Sequence, residues 1–97
     1  MNTYVILRRG GWKTAADLEL AAARSIEVGD QMPDDIRWIR SYVLAEPVGE
    51  VGTVCIYEAE SPEAIRTHAA AADLPVDEIV RVADTVVVRP DPAPATA

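Results

Sequence analysis

Cys55 and His68 are the single cysteine and the single histidine of this 97-residue sequence, and they bound the chemistry it can do. Thiolate and imidazole are preferred ligands of borderline transition ions, and a carboxylate such as Glu58 can complete the shell. One chain holds too few soft donors to close such a site, whereas a twofold dimer doubles every donor. Nucleophilic catalysis asks for more. A reactive thiol needs a neighbouring base and a lowered pKa, and no elbow motif surrounds either residue. A lone strand cysteine is more often a small buried apolar side chain, and a lone histidine more often a packed one. Gly10-Gly11 lacks the Lys-Ser/Thr that would make it a phosphate loop. Asp34-Asp35 and Asp77-Glu78 read as solvated loop or cap charges. No catalytic residue emerges, and an enzymatic role is not indicated.

The elements that must position these groups follow from local pattern. Thr3 to Leu7 is β-branched and aromatic enough for a strand ending near Arg9, where Gly10-Gly11 breaks it. Thr14 stands as a helix N-cap with Asp17 in capping-box position. Ala15, Leu18, Ala22 and Ile26 follow at helical spacing, and Gly29 fits a stop. Asp34 to Ala45 alternates as a half-buried strand, 46–50 carries Pro and Gly and must turn, and Val51 to Glu60 returns. Ser61-Pro62-Glu63 opens a second helix with a cap, a proline at its first position and an acid in its first turn. Ile65, His68, Ala69 and Ala72 form its inward stripe, and Asp73-Leu74-Pro75 ends it. Ile79 to Val88 reads as the last strand, broken near Asp84. The fold class is therefore α+β, a two-layer βαββαβ sandwich of the ferredoxin-like kind over residues 1–89. A Pro/Ala-rich tail occupies 90–97.

Two helices cover one face of such a sheet. The alternation assigns Ile39, Val43, Val54 and Ile56 to the covered face. Trp38, Arg40, Tyr42, Cys55 and Tyr57 then share the open one. Rings in that number are not left bare in water. A second copy of the chain packed sheet to sheet shelters them, as in a dimeric α/β barrel. In that arrangement Trp38, Arg40, Tyr42 and Tyr57 line a cavity between the sheets that would bind or transform a small aromatic or anionic molecule, with Arg40 placed to hold its anionic group.

Composition narrows the partners. Nine basic and sixteen acidic residues give a formal charge of −7 and a sequence pI near 4.5. No basic face is written for nucleic acid, and anionic membrane surfaces are disfavoured, while cations are drawn in. One cysteine excludes an intrachain disulfide framework. No run approaches the ~20 apolar residues of a membrane span, and the N-terminus lacks a signal-peptide pattern. The expected location is the cytoplasm. A core of alanine and valine without phenylalanine leaves part of the stability to a partner subunit, a homodimer being the simplest.

Three segments together resemble a family of small bacterial nickel-binding proteins. They are Trp38-Ile39-Arg40-Ser41-Tyr42-Val43, Cys55-Ile56-Tyr57-Glu58-Ala59 and Glu63-Ala64-Ile65-Arg66-Thr67-His68-Ala69, followed by Pro75 and Asp77 before the last strand. The resemblance runs from about Trp38 to Val82. It implies a ferredoxin-like fold, a homodimer, and nickel or another divalent transition metal at sites formed with the dimer; the candidate ligands on this chain are then Cys55 and His68, with Glu58 or another acid as a third. Two departures stand out. Arg40 occupies a position where many members carry histidine, and a cation there repels a divalent ion instead of ligating it. The turn at 46–50 is an insertion between Tyr42 and Cys55.

Overall fold

The computed structural model describes residues 1–93. It orders the elements as β1 (Asn2–Trp12), α1 (Ala15–Asp30), β2 (Ile36–Ala45), β3 (Val51–Ala59), α2 (Pro62–Ala71) and β4 (Glu78–Arg81). The strands form one antiparallel sheet in the order β2-β3-β1-β4, with both central strands paired on each side. This is the expected α+β arrangement of a four-stranded sheet with two helices, compatible with a ferredoxin-like sandwich. Among the described residues no helix is long and apolar enough to cross a membrane. The last four positions of the proposed 90–97 tail lie outside the described residues.

Local chemistry sets the helix ends. The Thr14 hydroxyl accepts from the Asp17 amide at 3.1 Å, and the Ser61 hydroxyl accepts from the Ala64 amide at 3.2 Å. Asp73 closes α2 with φ at 55°, which turns the chain so that the Leu74 amide reaches the Ala69 carbonyl at 2.8 Å. The inward residues of α2 are Ile65, His68 and Ala69, as its stripe requires. Those of α1 are Ala21 and Ser25, a stripe turned slightly from the expected one, and Ile26 faces out.

Two strands differ from their sequence pattern. β1 does not end at Arg9; it passes through Gly10-Gly11 to Trp12. The register slips between Arg8 and Trp12, where Gly10 takes φ +53°. Glycine permits that left-handed residue without a Cβ clash, so the strand bends instead of stopping. β4 is far shorter than Ile79–Val88. After Arg81 the Val82 amide still bonds the Thr3 carbonyl at 2.9 Å, and then the chain leaves the edge. Val86, Val87 and Val88 stay at least three-quarters exposed, at 84%, 76% and 75%. Valine composition alone does not make a strand where no partner strand runs alongside.

The core lies between sheet and helices. Its buried cluster comprises Tyr4, Ile6, Ile36, Cys55, Tyr57, Ala59 and Ile65, with Met32, Trp38, Val76 and Ile79 packed against it. The covered face is thus the one holding Cys55 and Tyr57. Strand alternation alone assigns Cys55 and Tyr57 to the open face, and the structure reverses that assignment. Alternation supplies the period of a strand but not its phase, and both faces of β3 are apolar enough to satisfy either choice. Alanines on the inner stripes of both helices leave room beneath for large rings, and the Tyr57 phenol finds a partner there. On β2 the cause is a bulge. Trp38 pairs with Tyr57 but Arg40 pairs with Ile56, so Ile39 is one residue too many. Before the bulge Ile36 and Trp38 turn inward. After it Ser41 and Val43 do, while Arg40 and Tyr42 stay on the open face.

Candidate functional site

The covered layer gathers the polar and aromatic groups of the chain into one cluster. Tyr57, at the centre of β3, is 1% exposed. Its ring stacks on Trp38 with centroids 6.0 Å apart and meets the edge of the His68 ring at 5.7 Å. Its hydroxyl lies 3.2 Å from the Ser25 hydroxyl on α1. His68, carried by α2, donates from Nε2 to the Ser25 carbonyl oxygen at 3.0 Å. With that proton on Nε2, Nδ1 carries the lone pair, and among the described residues it has no hydrogen-bond partner. Ser25 thus ties both helices and the sheet together.

Burial sets the protonation states. Loss of hydration raises the Tyr57 pKa, against the opposing pull of the Ser25 hydroxyl, so the phenol stays neutral. Loss of hydration lowers the His68 pKa; the Ser25 carbonyl bond opposes this and the Arg8 cation adds to it. A neutral imidazole with one nitrogen tethered to a carbonyl is the form in which histidine binds metals.

Arg8 completes the cluster from β1. It is 1% exposed, its Nη1 donates to the Pro75 carbonyl at 2.6 Å, and its Nη2 has no partner among the described residues. The sequence reading missed both Arg8 and Ser25. The signal for Arg8 was the alternation itself: Tyr4, Ile6 and Arg8 share a face, and assigning the strand an end near Arg9 hid the last of them. Two hollows open onto the cluster. One, of about 420 Å³, lies between α1 and the start of β2 and reaches His68, Tyr57 and Trp38. The other, of about 330 Å³, lies under α1 and reaches Arg8, Trp12, Thr53 and Cys55.

The expected metal donors do not converge. Cys55 is buried in the covered layer and its thiol donates to the Thr53 hydroxyl at 3.3 Å. His68 shares that layer, so the two are not on opposite sides of the sheet as alternation had suggested. Glu58 points to the open side and accepts from Arg37 at 3.3 Å. Among the described residues no three of His, Cys, Asp and Glu come together as an ion would require. The donors of one protomer therefore do not fit a closed metal centre.

The expected ligand-binding residues divide as well. Trp38 and Tyr57 are inside, while Arg40 and Tyr42 remain on the open face, where both donate to Asp91, Tyr42 at 2.8 Å. The Tyr42 hydroxyl first, and then Asp91, raise the Arg40 pKa. Residues 82–91 cross this face and enclose a hollow of about 1010 Å³ with Thr3, Ile39, Arg40, Tyr42 and Ile56.

Comparison with known proteins supplies the family. No curated protein matches the sequence. The fold is similar to that of the crystal structure of SCO4226 from Streptomyces coelicolor A3(2). The TM-score is 0.67 at 20% identity, covering 87% of this chain and 99% of that one. A family model described as nickel responsive protein SCO4226-like matches residues 4–82. That span takes in every element from β1 to β4, and the chain belongs to the SCO4226-like family of nickel-responsive proteins.

Proposed function

We propose that this chain is a homodimeric binding protein without catalytic activity that responds to a divalent transition ion, nickel foremost. The open sheet face carries the proposal. Ile39, Tyr42 and Val80 there leave 40%, 45% and 44% of their surface in solvent, with Val54 and Ile56 beside them and no helix above. Apolar side chains on a sheet face, here crossed by residues 82–91 and interrupted by Arg40, are the kind of surface that a twofold axis buries, pairing each patch with its own copy.

Two observations support the ion. The family description names nickel, and His68 is held neutral with its Nδ1 lone pair unspent. One imidazole is one ligand, and it lies under the helices, across the sheet from the proposed dimer face, so the ion and the sheet-to-sheet contact are separate parts of the proposal. Arg40 offers no ligand.

The rival reading, a small aromatic or anionic molecule between two sheets, requires rings on the open face. With Trp38 and Tyr57 turned under the helices, that face keeps only Arg40 and Tyr42, which Asp91 already engages.

Metal analysis of protein purified without an affinity tag, alongside sedimentation velocity at micromolar concentration, tests the proposal. The expected outcome is a dimer that takes up nickel, with His68→Ala weakening the calorimetric affinity at least tenfold and Cys55→Ala serving as comparison. A monomer at every concentration, or an affinity unchanged in both variants, overturns it.

A further inference from the structure

We propose that the hollow under α1 is a binding site for a small monocarboxylic acid with an apolar body, anchored by Arg8. A guanidinium is charged at every accessible pH, and removing it from water is costly unless a counter-charge and full hydrogen bonding replace the lost hydration. Arg8 has neither. It is 1% exposed, only Nη1 makes a hydrogen bond, at the Pro75 carbonyl, and Nη2 has no partner among the described residues, although the guanidinium lies near enough to the Tyr57 phenol to favour its ionised form slightly. None of the ion pairs that the described residues form includes it. Glu19 also lines the hollow, from the exposed side of α1, without a hydrogen bond to the guanidinium.

The walls define the rest of the ligand. Trp12, Leu18, Ala22, Val43 and Leu74 make the hollow mainly apolar, and its volume of about 330 Å³ is at the small end of the ~300–1,000 Å³ found for ligand sites. A guanidinium offers a carboxylate a charge-assisted N–H donor, here the unpartnered Nη2, and the walls suit a short alkyl or single aromatic body. A compact inorganic anion would satisfy the charge and leave the walls unfilled. The site lies within one protomer, on the opposite side of the sheet from the proposed dimer face, and it contains no step that needs a metal.

Both tryptophans of the chain, Trp12 and Trp38, line the hollow, so intrinsic fluorescence reports its occupancy. The experiment titrates the full-length protein, in chelator, with octanoate and phenylacetate, with their neutral counterparts octanol and 2-phenylethanol, and with inorganic phosphate. The acids are expected to give saturable changes, with the alcohols and phosphate at least tenfold weaker. Arg8→Met should weaken the acids at least tenfold and leave the alcohols unchanged. Ala22→Leu, which fills the hollow while keeping Arg8, should abolish the response to the acids and decides the matter if Arg8→Met does not fold. Equal affinity for acid and alcohol, acid binding unaffected by Arg8→Met or by Ala22→Leu, or no saturable response to either acid up to about 10 mM, ten times the ~1 mM dissociation constant of a weak specific site, overturns the proposal.

Discussion

Trp38 and Tyr57 face each other across neighbouring strands with only 17° between their ring planes, and that stack lies under the helices. Directly opposed residues of an antiparallel pair must share a face, and these two are in register. Turning one in therefore turns in the other, and Cys55 and Thr53 follow by alternation. The Tyr57 hydroxyl is then obliged to find a partner in a buried layer, which Ser25 provides at 3.2 Å. Ser25→Ala should cost ~1–3 kcal/mol because it strands a buried phenol, while Tyr57→Phe, which removes the group that needs satisfying, should cost ~1 kcal/mol. Urea unfolding of both single variants and the double variant measures the coupling. Equal losses in the two singles would show that the hydroxyls do not depend on each other.

His68 gives the protein an acid sensitivity of known sign. Burial lowers its folded pKa below the unfolded value, so between the two the unfolded chain binds more protons. Stability from this group is fully present above the unfolded pKa of ~6.5. It is lost as pH falls from there toward the depressed folded value. His68→Gln should flatten the difference between unfolding midpoints measured at pH 7.5 and pH 5.5, relative to the unmodified protein. An identical pH dependence in both would mean that the imidazole is protonated without cost in the folded state.

Gly52 is required by close approach, although its own φ is unremarkable. A Cβ at this position would stand 2.5 Å from the Arg8 carbonyl oxygen and 2.8 Å from a Glu46 carboxylate oxygen. The first neighbour is backbone and cannot step aside, since it sits where β1 slips register between Arg8 and Trp12. Gly52→Ala should therefore destabilise by at least the ~1–3 kcal/mol typical of overpacking. Thermal melting of the variant checks this, and a melting point within a degree of the unmodified protein would refute it.

Element order, helix caps and the turn at 46–50 were legible in the sequence because each rests on local chemistry. Thr14, Ser61 and Pro62 act on amides within one turn of themselves, and no distant residue overrides them. The phase of the sheet was not legible. It depends on one extra residue, Ile39, whose bulge swaps which of its neighbours point inward, and on helices far away in the chain whose alanines make room for rings. Arg8 was hidden for a related reason. Charged residues are expected at strand ends, and only the full length of β1 reveals that this one is buried. The family resemblance held, while the donor set of Cys55, His68 and Glu58 is split by the sheet itself, since Glu58 follows Tyr57 on the opposite side of β3.

The open face yields the last prediction. Ile56 lies at its middle, on a central strand, paired with Val5 on one side and Arg40 on the other. A glutamate here would meet water in an isolated protomer and a second apolar sheet in a dimer. Ile56→Glu should thus leave the helical far-UV signal intact and shift the sedimentation coefficient from dimer to monomer, because a pair of unpaired carboxylates at a buried twofold interface costs several kcal/mol. A substitution to valine retains the apolar surface and should retain the dimer. If Ile56→Glu and the unmodified chain sediment alike, the two sheets do not meet, and the residues of 82–91 that cross this face are its only cover within the described chain.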